Sequence, residues 1–197
     1  MLAAGNLEVW PTLSPAVEQA LAQHCAPVLM GCKAANLFSC AGQPAMLPAC
    51  ATQLAARSIA IRLLGGSNGR SLVFVYRPTQ LETALCHPLA KTQLGKLGYP
   101  VTGRLEEMLN FLQQRLEKQQ GFPHEIGFFL GYPAADVVGF MHYRGRHCKH
   151  CGLWKVYSNV ERAKALFKEY ETCRCELLRY LAKGGSIYDM YMDRVAG

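Results

Sequence analysis

The segment Ser71–Arg77 constrains the fold more than any other part of the chain. Its sequence, Ser-Leu-Val-Phe-Val-Tyr-Arg, is rich in β-branched and aromatic residues. Successive side chains of a strand point to opposite faces, so Phe74 and Val75 are both buried only if both faces are covered. The sequence therefore predicts a central strand between layers of helices.

Further elements alternate along the chain. Strands are predicted at Ala35–Cys40, Glu125–Leu130 and Trp154–Tyr157. One helix is predicted from Pro48 to the Gly65-Gly66 pair, and a strongly amphipathic helix over Arg104–Lys118. Strands that alternate with helices favour an α/β sandwich, with a mainly parallel sheet of about four or more strands and helices on both faces.

Two further helix boundaries are predicted from local signals. His87-Pro88 interrupts the helix that follows the central strand. Ser158 and Glu161 have the spacing of a capping box, which predicts the start of a long final helix.

Composition indicates a single globular domain. The 197 residues are 50% hydrophobic and 18% charged, which excludes a disordered chain. We expect a loose lead-in over residues 1–13 and one α/β domain over residues 14–197. The start of the chain lacks the features of a secretory signal, and no apolar run reaches membrane-spanning length. We therefore expect no membrane partner. The nine scattered cysteines predict a reducing, cytoplasmic setting.

The first candidate site is Cys148-x-x-Cys151-Gly152, flanked by His147 and His150. Two cysteines at this spacing before a glycine can aim both thiolates at one metal ion, either zinc or iron. A second pair at the same spacing is absent, so the two histidines or distant cysteines would have to complete the site. The alternative is that these thiols are inert.

A second candidate is Cys25, with His24 or His124 as its base. Adjacent helical residues point about 100° apart, and a helix C-terminus disfavours a thiolate. Val17, Leu21 and Cys25 also share one face of the helix that is predicted to start at Ser14-Pro15. The pattern therefore favours a buried core cysteine over a nucleophile.

A third candidate follows from the predicted sheet. In parallel α/β sheets, ligands bind beyond the carboxyl ends of the strands. Those ends carry Ser39, Arg77, Tyr132 and Tyr157, and nearby helix N-termini would favour a small anionic ligand. The net charge of +7 permits such a ligand. The phosphate-loop, dinucleotide and nucleophile-elbow motifs are absent, and the short basic cluster around Arg144 does not predict nucleic-acid binding.

A set of motifs extends over about residues 18 to 180 and begins with His24-Cys25-Ala26-Pro27. The others are Gly31-x-Lys33, Asn36-Leu37-Phe38-Ser39, Val75-Tyr76-Arg77-Pro78, Phe122-Pro123-His124-Glu125-Ile126-Gly127, Leu130-Gly131-Tyr132-Pro133 and Trp154-Lys155-Val156-Tyr157. Together these motifs resemble an uncharacterised bacterial family defined by a domain of unknown function. The resemblance implies an anaerobic bacterial source and an association with iron-uptake and flavodoxin genes. It implies no catalytic residue.

Three functional hypotheses follow. The first is a thiol-rich metal-binding or redox-linked protein, tied to iron metabolism. The second is a thiol-dependent enzyme that acts on a small substrate through a Cys/His pair. The third is a non-catalytic interaction domain. Whether the chain is an enzyme, and its oligomeric state, stay open at this point.

Overall fold

A computed structural model describes residues 13–41, 47–67, 69–118, 122–187 and 189. Most of the predicted lead-in, residues 1–12, lies outside this range. The helices are α1 (Pro15–Leu29), α2 (Leu47–Ala55), α3 (Pro78–Leu85), α4 (Pro88–Lys96), α5 (Leu105–Lys118), α6 (Ile126–Phe129), α7 (Ala134–Tyr143) and α8 (Val160–Ala182). The strands are β1 (Ala35–Ala41), β2 (Ala60–Ser67), β3 (Arg70–Tyr76), β4 (His150–Cys151) and β5 (Lys155–Val156).

The main sheet is antiparallel and has three strands in the order β1-β3-β2. β4 and β5 form a separate two-stranded antiparallel hairpin. The predicted sandwich with a mainly parallel sheet of four or more strands is therefore wrong. The predicted central strand is confirmed, because β3 lies between β1 and β2 and its Phe74 and Val75 are fully buried.

The error in the sheet has two local causes. The segment predicted to be one helix is divided into α2 and β2, and Gly65-Gly66 forms a bulge in β2 rather than a helix end. At Gly66, an added Cβ would lie 2.1 Å from the backbone oxygen of Arg70, so a side chain is excluded there. The predicted strand Glu125–Leu130 is instead the short helix α6, which is buried in the core. A short apolar run of this kind does not distinguish a buried strand from a buried helix.

The two faces of β3 belong to two different cores. Val73 and Val75 pack with α1, α2 and α8, whereas Phe74 and Tyr76 pack with α3 to α7. A third cluster around Trp154 joins the β4–β5 hairpin to α8. The alternation of apolar side chains along one strand thus places a helical layer on each side of it.

The two predicted helix boundaries are present in the structure, but the second has a different capping residue. The helix after β3 ends before His87, whose Nδ1 accepts a hydrogen bond from the Leu89 amide and caps α4. α8 is capped by Asn159, whose side chain accepts from the Arg162 amide. The predicted capping residue, Ser158, donates its hydroxyl to Asp136 instead.

No helix within the described residues is long and apolar enough to span a membrane.

Candidate functional site

A cavity of 590 Å³ lies between the α6–α7 region and the β4–β5 hairpin. Its walls are mostly apolar and aromatic, and it is partly open to solvent. Small-molecule sites commonly have this size and composition. The cavity is lined by Phe122, Pro123, His124, Ile126, Gly127, Tyr132, Asp136, Val137, Phe140, Cys151, Gly152, Leu153, Trp154 and Lys155.

Asp136, in the first turn of α7, holds the hairpin side of the cavity in place. Its Oδ2 accepts from the Trp154 indole at 2.8 Å. Its Oδ1 accepts from the backbone amides of Tyr157 and Ser158 at 2.9 and 2.7 Å, and from the Ser158 hydroxyl at 2.7 Å. Burial alone would raise the pKa of Asp136, but these hydrogen bonds outweigh it and the pKa is lowered. The carboxylate is therefore ionised and fully used in structural contacts.

Tyr132 lines the cavity and contacts a buried lysine. One neighbour of its ring is Trp154, stacked with centroids 4.8 Å apart. The other is the Lys33 ammonium, whose Nζ lies 5.1 Å from the Tyr132 centroid and 5.7 Å from that of Tyr170. Lys33 also donates to Asn36 Oδ1 at 2.5 Å. The ammonium is thus held in an aromatic box by one neutral acceptor and two rings.

Lys33 has an unusual electrostatic environment for a lysine. Its side chain is 9% exposed, and no carboxylate within the described residues pairs with it. Burial lowers the pKa of Lys33 to about 8, and the neighbouring Cys25 opposes the shift in part. A buried amine with a pKa near neutrality is typical of functional sites, although structural lysines show the same shift.

The predicted metal-binding residues lie on or next to the β4–β5 hairpin. Cys148 is half-buried and Cys151 is exposed at the cavity rim. His150 stacks on Phe167 at 6.1 Å and His147 packs edge-on against Tyr143 at 5.7 Å. Across the described part of the chain, no three His, Cys, Asp or Glu side chains are grouped to hold a metal ion. A zinc or iron site here stays a prediction.

The four predicted ligand-binding residues do not converge. Ser39 lies opposite Leu72 in the sheet, so Arg77 is about 17 Å further along β3 at the other end. Arg77 donates to the Val28 and Leu29 carbonyls at 2.7 and 2.8 Å and so caps the end of α1. These residues do not meet because the carboxyl ends of neighbouring strands lie at the same edge only in a parallel sheet, and this sheet is antiparallel. The role of each residue in ligand binding stays a prediction.

Of those four, Tyr132 lines the cavity and Tyr157 lies behind it. The Tyr157 ring packs on Gly139 and stacks with Tyr143 at 5.8 Å. Its hydroxyl is buried and lacks a hydrogen-bond partner in the described structure. Burial, followed by the nearby Cys148, raises the pKa of Tyr157.

The predicted nucleophile and its bases are separated. Cys25 is fully buried, and burial raises the pKa of its thiol to about 12, with a smaller opposing effect of Lys33. His24 is exposed and stacks on Phe38 at 5.1 Å. His124 lines the cavity with its ring edge-on to Phe140. The expected burial of Cys25 is confirmed.

Sequence reasoning missed Lys33, Asp136 and Trp154 as parts of the site. Lys33 carried one signal, because it is the single charged residue between Glu18 and Arg57 in an otherwise uncharged stretch. Acidic residues are common in the first turn of a helix, so Asp136 did not stand out in the sequence. Its hydrogen bonds to Trp154 and Ser158 join distant segments and could not be predicted from local sequence.

The fold and the site define a mixed α/β protein with small antiparallel sheets and an unassigned aromatic cavity. Within that class, the chain belongs to the family described as "Protein of unknown function (DUF3793)", which matches residues 21–191. This finding confirms the resemblance to a family of unknown function. Neither a curated protein nor a solved structure matches the chain.

Proposed function

We propose that the protein binds a small planar anion in the cavity between α7 and the β4–β5 hairpin. The observation that carries this proposal is the pairing of aromatic walls with basic groups in one cavity of suitable volume. Phe122, Phe140, Tyr132 and Trp154 offer ring surface for an apolar, planar ligand body.

The charges around the cavity support an anion. His124 and Lys155 are the basic residues of the lining, and Asp136 is its carboxylate. The Asp136 oxygens already accept four hydrogen bonds, so they offer little to a cationic ligand. Lys155 donates to the Gly145 carbonyl at 2.9 Å and retains its charge and further donors for a ligand. The Lys33 ammonium, which lies 5.1 Å from the centroid of the Tyr132 ring, adds positive potential close to the cavity.

The test compares two fluorescent probes that differ in charge. 8-Anilinonaphthalene-1-sulfonate is an anion with a planar naphthalene ring, and N-phenyl-1-naphthylamine has the same ring system without the sulfonate. A Trp10→Phe background leaves Trp154, which lines the cavity, as the sole indole, so energy transfer from it reports the bound probe. We expect saturable binding of the sulfonate and weaker binding of the neutral probe, with unchanged circular dichroism.

Charge-removing variants locate the anion. Lys155→Gln should weaken sulfonate binding about fivefold, the value of one charge-assisted contact of about 1 kcal/mol, and leave the neutral probe unaffected. Lys96→Gln, at the exposed end of α4 and outside the cavity lining, is the matched control and should change neither. Equal binding of both probes, or equal effects of the two variants, would overturn the proposal.

A further inference from the structure

Two cysteines far apart in the sequence bring their sulfur atoms into contact. Cys32 follows α1 and Cys173 lies in α8, 141 positions later. The Cys173 thiol donates to Cys32 Sγ at 3.3 Å. Cys173 is 4% exposed, whereas Cys32 is partly accessible to solvent. One member of the pair can therefore meet a small reagent and the other lies directly behind it.

The surroundings allow the two sulfur atoms to approach further. A disulfide has an S–S distance of about 2.05 Å, so the pair must close by a little over 1 Å. Cys173 sits on a long helix, but Cys32 lies in the loop that follows α1. Gly31, next to it, has a φ of +83°, which marks the turn that ends the helix. Rotation of the Cys32 side chain and a small loop adjustment can supply the movement.

We propose that Cys32 and Cys173 form a reversible redox dithiol, oxidised by low-molecular-weight disulfides. The Cys32 thiolate attacks one sulfur of the reagent, forms a mixed disulfide and releases one thiolate. The Cys173 thiolate then attacks Cys32 Sγ and releases the second. In total, the two protein thiols lose two electrons and two protons, and the reagent is reduced to two thiols. This inference does not rest on the proposed ligand site.

The environment of Cys32 sets the expected speed of this reaction. Burial raises the pKa of Cys32 to about 12, with contributions from the Cys173 thiol and the Glu169 carboxylate. Tyr170 also lies beside this pair of thiols. Because the attacking species is the thiolate, exchange should be slower than that of a free model thiol at neutral pH. The dithiol would respond to sustained oxidation rather than act as a fast catalyst.

The test treats the reduced full-length protein with oxidised glutathione, blocks remaining thiols and maps the peptides by mass spectrometry. We expect a cross-linked peptide pair that contains Cys32 and Cys173, which dithiothreitol cleaves. The oxidised protein should also melt higher by on the order of 10 °C, because the bridge closes a long loop.

Variants distinguish the bridge from general oxidation. In Cys173→Ser, Cys32 should retain a glutathione adduct, since the resolving thiol is missing. Cys175→Ser, which removes an exposed thiol of the same helix, is the matched control and should form the bridge normally. If the exposed cysteines of the wild-type protein become fully glutathionylated while the Cys32–Cys173 bridge stays absent, the proposal is wrong. The wild-type map decides this even if a variant fails to fold.

Discussion

Replacement of Lys33 by methionine tests the electrostatics of the aromatic box directly. Methionine keeps an unbranched side chain of similar length and removes the charge. In the wild-type protein, the ammonium is 9% exposed and has Asn36 as its hydrogen-bond acceptor, between the rings of Tyr132 and Tyr170. We expect the difference in unfolding free energy between the two proteins to depend on pH.

The sign and size of this dependence follow from the pKa values. The pKa of Lys33 is about 8 in the folded protein, against 10.5 as the ordinary value. Below pH 8 the amine is charged in both states, and the folded state carries the full penalty of a buried ammonium. Between the two pKa values the unfolded chain binds more protons, so stability from this group rises with pH. From about pH 7 to about pH 9.5, the wild-type protein should gain about 2 kcal/mol relative to the variant.

The assay is equilibrium unfolding in urea, followed by circular dichroism under a strong reductant at both pH values. Subtracting the variant from the wild type cancels the titration of groups unaffected by the substitution. Lys168→Met, on an exposed position of α8, is the matched control and should show no pH-dependent difference. A Lys33→Met difference that stays constant within about 0.5 kcal/mol would refute the buried-charge argument.

Three further predictions concern single sites. Asp136→Asn should lower the free energy of unfolding in urea by about 2–3 kcal/mol, because the new amide N–H group would face N–H groups that donate to the carboxylate in the wild-type protein. An unchanged unfolding midpoint would contradict this. The Asp136 contribution should be present above about pH 4 and lost as pH falls through its lowered pKa. Cys25→Ala should lower the free energy of unfolding by on the order of 1 kcal/mol. In the folded wild-type protein, Cys25 should react with iodoacetamide far more slowly than the exposed Cys86, and equal rates would be inconsistent with the burial of Cys25. If Cys148 and Cys151 bind a metal ion, anaerobically purified protein will contain it and the double serine variant will lack it, whereas metal-free wild-type protein that takes up none would rule the site out.

The predicted elements that agree with the structure are those with a strong local signal. The apolar residues of β3 predicted a central, doubly buried strand, and the periodicity of Arg104–Lys118 predicted α5. The β2–β3 hairpin was missed, although Asn68-Gly69 is a common hairpin sequence. The Gly65-Gly66 pair was interpreted as the end of a helix, but glycine is also common in β-bulges.

The candidate site was harder to predict than the fold, because it depends on contacts between distant segments. Cys25 could be assigned to the core from the shared helix face of Val17 and Leu21. The Cys148-x-x-Cys151 motif could be recognised from spacing, but its partners could not. Tyr132 was predicted as a ligand-binding residue from a parallel sheet that the structure does not contain. It lines the cavity for another reason, since its ring packs against Trp154 and Lys33.

The sequence by itself determined the amphipathic helix α5, the strand β3 that is buried on both faces, and the family to which the chain belongs. These properties arise from neighbouring residues, which periodicity and motifs record directly. Only the tertiary structure decided the strand directions, the aromatic box around Lys33 and the contact of Cys32 with Cys173. Each of these joins segments far apart in the chain, and their meeting depends on how the two cores pack against the sheet. Local pattern carries no record of such packing.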